Sequence, residues 1–412
     1  MPIGRATLRS RRHAVQFVLA LLIALGTLPA GAQEMASIVI DANTGAVISA
    51  EQATRRWYPA SLTKLMTAYL TFEALQNGTV TLDEKLTVSK NAANQPEVSL
   101  GLDAGEKVTV KYALEALIVR SANDAATLLA ERIAGDEARF ATMMSLKARA
   151  LGMTRTVFRN ASGLPDEKQV TSARDMAILA QALWRDFPEY YDFFSKRFVD
   201  RHGQALPTYN QFLSAFQGAD GLKTGFTCGS GYNLVASAER DGRRLIGVIL
   251  GAPNGAIRTA EMTRIMGAAF EKPAAEDALL LASLPNATEG PEGEGPPFRL
   301  TPDVCALGAS VAADKTLTQP LPGWAIVFGA FVDKAQAESV LSSARDMLKD
   351  VLSKGRPAIV QRETEGVSRY AALLVGLEQE DAGKACKHMW NANAYCLALN
   401  PETLNNPQAL WR

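Results

Sequence analysis

The chain has 412 residues, enough for two or three domains, and its 47% apolar and 21% charged content is that of ordinary globular proteins. Lys plus Arg and Asp plus Glu both number 43, so bulk charge gives no argument for a nucleic-acid partner. Only three histidines occur, His13, His202 and His388, which argues against a His-rich metal centre and against a Ser-His-Asp triad as the default catalytic device.

The first 32 residues read as an export signal. Arg5, Arg9, Arg11 and Arg12 make a basic start, Ala14 to Leu28 is apolar, and Pro29-Ala30-Gly31-Ala32 is a small-residue exit with cleavage expected after Ala32. The apolar run falls short of the ~20 residues a spanning helix needs, so cleavage is preferred over a retained anchor. Loss of four arginines leaves the mature chain mildly acidic. Export permits disulfides among Cys228, Cys305, Cys386 and Cys396. Cys386 and Cys396 share one short segment and are the expected pair.

Residues 33–275 alternate strand and helix signals. Ala36 to Ile40 and Ala46 to Ser49 flank the turn Asp41-Ala42-Asn43-Thr44-Gly45, which predicts a β-hairpin. Ser61 to Leu75 has helical spacing through Leu62, Leu65, Met66, Tyr69 and Leu70. Further helices are expected over Tyr112 to Arg120, Ala125 to Ile133 and Ser172 to Trp184, the last with Ser172 as N-cap. Gly231 to Ala238 and Arg244 to Leu250 read as strands joined by a turn containing Asp241-Gly242. Strands at both ends with helices between them predict an α+β domain whose sheet joins its two termini.

Residues 276–321 change character. Pro285 to Pro297 is rich in Pro, Gly and Glu, a composition expected of a flexible linker. Pattern returns over 322–404: a strand at Trp324 to Phe331, a helix at Ala335 to Leu352, strands at Pro357 to Gln361 and Tyr370 to Val375, a helix at Asp381 to Trp390, and a strand at Cys396 to Leu399. The order is βαββαβ, enough for a small independent domain.

Three short motifs carry chemistry. Ser61-Leu62-Thr63-Lys64 places an amine one helical turn from a hydroxyl, where it can take the proton that keeps serine a weak nucleophile. Burial or a nearby cation would lower the lysine pKa for that task. Ser121-Ala122-Asn123 falls between two helices, where Ser121 can relay a proton and Asn123 can hold a substrate amide. Lys223-Thr224-Gly225 falls at a sheet edge, which offers backbone groups to an extended peptide. Lys223 and Thr224 can bind a carboxylate there, and Gly225 permits close approach. Each motif alone is commonplace: a capped helix with a solvated lysine, a helix cap, a turn lysine.

Their order and spacing behind an export signal are specific. S-x-x-K followed by S-x-N and K-T-G is the set of class A β-lactamases and penicillin-binding proteins. The chain resembles the D-alanyl-D-alanine carboxypeptidases, the low-molecular-weight penicillin-binding proteins, over roughly residues 35 to 265. Supporting stretches are Asp41 to Gly45, Trp57 to Thr67, Asn160-Ala161-Ser162-Gly163-Leu164 and Asp220 to Thr227.

The resemblance implies a penicilloyl-serine-transferase fold, a five-stranded antiparallel sheet with flanking helices, and a periplasmic enzyme acting on peptidoglycan stem peptides. By it, Ser61 is the nucleophile that forms an acyl-enzyme and releases D-alanine. Lys64 is its base, Ser121 and Asn123 line the cleft, and Lys223 and Thr224 grip the terminal carboxylate. Backbone N–H groups of Ser61 and Thr227 are expected to form the oxyanion hole. β-Lactams would acylate Ser61, and the resemblance implies no metal or cofactor.

Phe226 stands where some relatives carry a polar residue, which bears on substrate preference. Cys228, close to the expected cleft, reads as a buried inert thiol, with a redox-sensitive site as the sharper alternative. The C-terminal segment resembles a SPOR domain through Trp324, Gly329 and Phe331, with Val327 in place of a usual glutamine. That likeness implies affinity for glycan strands stripped of stem peptides and enrichment at the division septum; the alternative is a generic ferredoxin-like module. A β-lactamase would need a deacylating glutamate, and no E-x-x-L-N stretch lies between Ser121 and Lys223. A wall-binding protein with a decayed catalytic domain is disfavoured, since every motif residue is intact.

Overall fold

The computed structural model describes residues 35–96, 98–272, 277–286, 321–331, 333–364, 367–392, 394, 396–401 and 404. The expected export signal lies outside these residues, as does most of the expected linker. Among the described residues no helix is long and apolar enough to cross a membrane.

The first sheet is antiparallel and five-stranded. β1 (Ala36–Asp41) pairs with β2 (Val47–Glu51) around a turn that the Asp41 side chain closes by accepting N–H bonds from Asn43 and Thr44. The chain then crosses to a helical layer: a 3₁₀ turn at Ala60–Thr63, α1 (Lys64–Gln76), the small strand pair β3 (Lys85–Thr87) and β4 (Lys107–Thr109), α2 (Val110–Val119), α3 (Asn123–Ala134), α4 (Glu137–Ala150) and α5 (Ala173–Asp186). Ser172 caps α5 as expected, accepting from the Asp175 N–H. A hairpin of β5 (Phe198–Arg201) and β6 (Gln204–Pro207) follows. The chain returns to the main sheet through β7 (Ala219–Thr227), β8 (Gly231–Arg240) and β9 (Arg243–Ala252), then α6 (Gly255–Phe270). The strand order is β2-β1-β9-β8-β7, so the two ends of the segment meet at β1 and β9 and β7 forms an edge.

Helices cover both faces of this sheet, which is why its strands read as nearly unbroken apolar runs. Ile38, Ile40, Val235 and Val248 join the core that holds Leu65, Met66 and Phe72 of α1. Val39, Leu234, Ala236 and Ile249 pack on the other side against Met262 and Met266 of α6. Gly247 permits that approach, since a Cβ there would lie 2.6 Å from the Met262 sulfur.

Two expectations change here. The helix expected from Ser61 begins at Lys64, and Ser61 sits in the preceding 3₁₀ turn. The segment assigned to the linker begins as part of the folded body. Val47 and Leu281 N–H groups bond to Leu279 and Gly45 carbonyls, and Leu281 is 2% exposed. Leu281 joins the core, a contact no local composition signals.

The C-terminal part has the expected order: β10 (Trp324–Phe331), α7 (Lys334–Leu348), β11 (Arg356–Thr364), β12 (Val367–Leu377), α8 (Gln379–Asn391) and β13 (Leu397–Leu399). Its antiparallel sheet runs β11-β12-β10-β13, a ferredoxin-like arrangement. Cys386 and Cys396 form a disulfide.

Candidate active site

Ser61 is presented by its 3₁₀ turn, where residues three apart eclipse each other and Lys64 falls directly beneath it. The Lys64 Nζ donates to Ser61 Oγ at 3.1 Å and to Asn123 Oδ1 at 2.7 Å, and it also donates to the Ser162 carbonyl. Lys64 is 1% exposed, whereas Ser61 is half-buried. The amine is thus enclosed while the hydroxyl remains reachable.

Two glycines allow this turn to be enclosed so closely. Gly163 has φ +89°, and a Cβ there would overlap the Ala60 carbonyl. A Cβ on Gly225 would lie 3.1 Å from the Ser61 and Leu62 nitrogens. Asn233 on β8 ties the sheet to the same turn. Its amide donates to the Tyr58 and Pro59 carbonyls and accepts from the Gly251 N–H. Trp57 adds a bond from its indole N–H to the Ser230 carbonyl at 2.8 Å.

Ser121 precedes α3 in a left-handed conformation, φ 58°, and is 6% exposed. The structure therefore joins Ser61, Lys64 and Asn123 in one hydrogen-bonded network, with Ser121 two residues before Asn123 in sequence. The N–H and Nδ2 of Asn123 donate to the Val98 and Pro96 carbonyls, both at 2.8 Å.

The K-T-G residues lie within β7, the edge strand of the main sheet, in keeping with the sheet-edge expectation. Lys223 is 3% exposed and its Nζ donates to the Thr224 carbonyl at 2.9 Å. Burial, assisted by the nearby Arg258 guanidinium, lowers the Lys223 pKa from 10.5 to about 7. Arg258, on α6, is 6% exposed, has no acceptor for its Nε, and is itself lowered by burial to about 10. Sequence reasoning missed Arg258 and Asn233, since both lie outside the motifs. An arginine among the apolar positions of an amphipathic helix was the one available signal.

The expected role of Thr227 is corrected. Its N–H donates to Ser230 Oγ at 2.9 Å and the Ser230 N–H returns a bond to Thr227 Oγ1, so neither group faces an incoming substrate. The Ser230 N–H also bonds the Thr227 carbonyl, which turns the backbone of Thr227 toward β8. Backbone groups alternate sides along a strand, so the N–H of Phe226 points off the open edge of β7. Phe226 is 41% exposed and packs on Tyr232 with ring centroids 4.2 Å apart. Cys228 is also corrected: it is exposed and disulfide-bonded, not a buried free thiol. Among the described residues no cluster of three or more His, Cys, Asp or Glu is placed to hold a metal ion.

A family model described as D-alanyl-D-alanine carboxypeptidase (Peptidase S11) matches residues 28–254, more than half of the chain. The D-alanyl-D-alanine carboxypeptidase DacF of Bacillus subtilis is 35% identical over 241 residues, covering 57% of this chain and 62% of the relative. DacC of Escherichia coli is 37% identical over 236 residues, 56% of this chain and 59% of the relative. The chain thus spans about 60% of the length of these curated relatives. Among solved structures, penicillin-binding protein 5 of Haemophilus influenzae superposes with TM-score 0.56 at 34% identity, covering 60% of this chain and 73% of that one. Penicillin-binding protein D2 of Listeria monocytogenes in its ampicillin-bound form gives 0.53 at 34% identity, covering 57% and 96%.

Proposed function

The chain belongs to the D-alanyl-D-alanine carboxypeptidase family of serine peptidases, and on that premise we propose that it removes the terminal D-alanine of peptidoglycan stem pentapeptides through an acyl-enzyme on Ser61. The observation that carries this reading is the buried Lys64 amine 3.1 Å from the Ser61 hydroxyl.

In this reading Lys64 takes the Ser61 proton as Oγ attacks the carbonyl of the penultimate D-alanine. The resulting oxyanion is held by the N–H groups of Ser61 and Phe226, the latter replacing Thr227 for the reason given above. The substrate lies along the free edge of β7 as an added strand. Its carboxylate is drawn to Lys223, Thr224 and Arg258, two buried cations and a hydroxyl at the end of that edge. The proton passes from Lys64, with Ser121 as relay, to the departing D-alanine amine. Water then follows the same path to release the acyl group, and Asn123 orients the substrate amide as well as the base. A β-lactam enters the first half of this sequence and acylates Ser61.

The relatives are named as D-alanyl-D-alanine carboxypeptidases of bacteria, and a substrate ending in D-alanine on the stem peptides of the wall supports export of this chain to the periplasm through its N-terminal signal. For residues 322–404 we read a SPOR module, supported by the βαββαβ order and by Trp324, Gly329 and Phe331 on the opening strand. The sheet face away from the helices is apolar and covered: Ala325, Val327, Ala371, Leu373 and Val375 are at most 5% exposed, with Leu404 packed among them. Glycan contact on that face would require Leu404 to leave it. Retention on peptide-free sacculi tests this part, and absence of retention removes it.

Incubation with a stem pentapeptide, followed by mass spectrometry, tests the enzyme. Loss of one D-alanine by the wild type and no loss by Ser61→Ala is expected; an unchanged pentapeptide, or fluorescent-penicillin labelling that survives Ser61→Ala, refutes it.

A further inference from the structure

Asp124 is a carboxylate at 0% exposure for which the proposed reaction has no use. Its partners are backbone donors. The Leu100 N–H reaches both oxygens, at 3.1 and 3.0 Å, the Leu102 N–H reaches Oδ2 at 3.0 Å, and the Ala125 N–H reaches Oδ1 at 2.8 Å. Such charge-assisted bonds are the strong ones, and this carboxylate also sits in the first turn of α3, where the helix dipole favours it. Asp124 therefore clamps residues 98–102, which belong to the connection between β3 and β4, onto the start of α3. Arg201 grips the same connection by donating to the Gly101 carbonyl and the Glu106 carboxylate.

What the clamp holds in place matters to the neighbouring residue. Asn123 has an oxygen at one end of its amide and an NH₂ at the other. The Pro96 carbonyl accepts from Nδ2, and the Val98 carbonyl accepts from the backbone N–H. The Nδ2 bond leaves Oδ1 as the end that faces Lys64, and the Val98 bond keeps the segment that carries Pro96 docked on the start of α3. An amide turned the other way would present a donor to an ammonium, which disfavours the charged amine and lowers its basicity.

We infer that Asp124 is a positioning residue: by clamping residues 98–102 on α3 it fixes which end of the Asn123 amide faces Lys64, and so sets the strength of the base. This rests on the reading of Lys64 as the base for Ser61. The role differs from that of Asp175, another carboxylate at 0% exposure, which accepts from the Thr156 hydroxyl, the Arg174 guanidinium and the Arg155 N–H, all remote from Asn123 and Lys64.

The test compares Asp124→Asn, Leu102→Pro and Asp175→Asn in the full chain. The readout is the pH profile of the acylation rate with fluorescent penicillin, expressed per titratable active site so that misfolded protein does not count. Asp124→Asn should lower the plateau by about tenfold or more and move the midpoint of the acidic limb to lower pH. Leu102→Pro keeps the carboxylate, deletes one of its donors, and should shift both quantities the same way by less. Asp175→Asn should lower the melting temperature while leaving rate and midpoint as in the wild type. Equal rates and midpoints in Asp124→Asn and the wild type overturn the inference, as does a folded Leu102→Pro with neither change. A wild type that penicillin fails to label would instead refute the reading of Ser61 and Lys64.

Discussion

Lys223 and Arg258 face one another's positive field in the interior, each less than one-tenth exposed, and burial first, then the guanidinium, depresses the amine's pKa. Buried cations are ordinarily paired with an acid. Here neither has a carboxylate partner among the described residues, which supports the proposal that a substrate carboxylate is drawn to this pair. The consequence is a linkage between proton and carboxylate binding.

Affinity for an acyl-D-alanine carboxylate should be flat below pH 7 and fall as pH rises beyond it. Lys223 titrates near 7 in the empty site, so above that pH a ligand must recruit a proton to gain the ammonium. Calorimetry in buffers of different ionisation enthalpy should register proton uptake at pH 8 and little at pH 6; equal uptake at both would contradict the assignment. The sign for stability is opposite. The folded pKa lies below the 10.5 of the free side chain, so between about 7 and 10.5 the unfolded chain binds more protons, and this group's contribution to stability rises with pH.

Arg258→Gln should lower kcat/KM by roughly 10–100-fold, the worth of one hydrogen bond to a charged group. The same substitution relieves a buried like-charge contact, so the empty protein should melt no lower than the wild type and Lys223 should titrate at higher pH. A lower melting temperature with unchanged kcat/KM would mean that Arg258 is structural.

Gly163→Ala should slow penicillin acylation by more than tenfold with the circular-dichroism spectrum intact. The added Cβ meets the Ala60 carbonyl and occupies a left-handed backbone position, at a cost of order 1–3 kcal/mol. The strain falls on the turn that holds Ser61 and on the Ser162 carbonyl that receives Lys64. Wild-type acylation in this variant would show that the turn tolerates displacement.

Cys396→Ser should destabilise the C-terminal module by about 2–4 kcal/mol, the usual worth of a short-loop disulfide, because both sulfurs are buried in its core. Labelling of Ser61 by penicillin should be unaffected. A fall in labelling that tracks unfolding of the module would show that the catalytic residues depend on it.

The motif residues were legible because each chemical task needs a particular residue type at a short spacing. A serine and a lysine three apart must share one helical face, and Gly231 to Ala238 and Arg244 to Leu250 could be read as strands from their apolar runs. Thr227 was misplaced because the difference between a strand residue facing its neighbour and one facing open space is a matter of one residue in register. Composition does not record that phase; the Ser230 hydroxyl does, by capturing the Thr227 N–H. Leu281 was assigned to a linker because its partners, the Gly45 carbonyl more than 200 residues upstream and the buried face of α5, are remote in sequence and leave no trace in local composition.

By itself, then, the sequence determined the α+β class, the βαββαβ order of the tail and the placing of a lysine one turn after a serine, and it favoured Cys386–Cys396 without fixing the pairing of four cysteines; all of this follows from local spacing and side-chain type. Only the tertiary structure decided what surrounds them. Arg258 reaches Lys223 from a separate helix, the Ser162 carbonyl receives Lys64 from a distant loop, and Asp124 fastens the segment that orients Asn123. These contacts join separate segments of the chain: exclusion of water alters the acidity of a lysine, and hydrogen bonds from another segment set the direction of an amide, without changing any residue's identity.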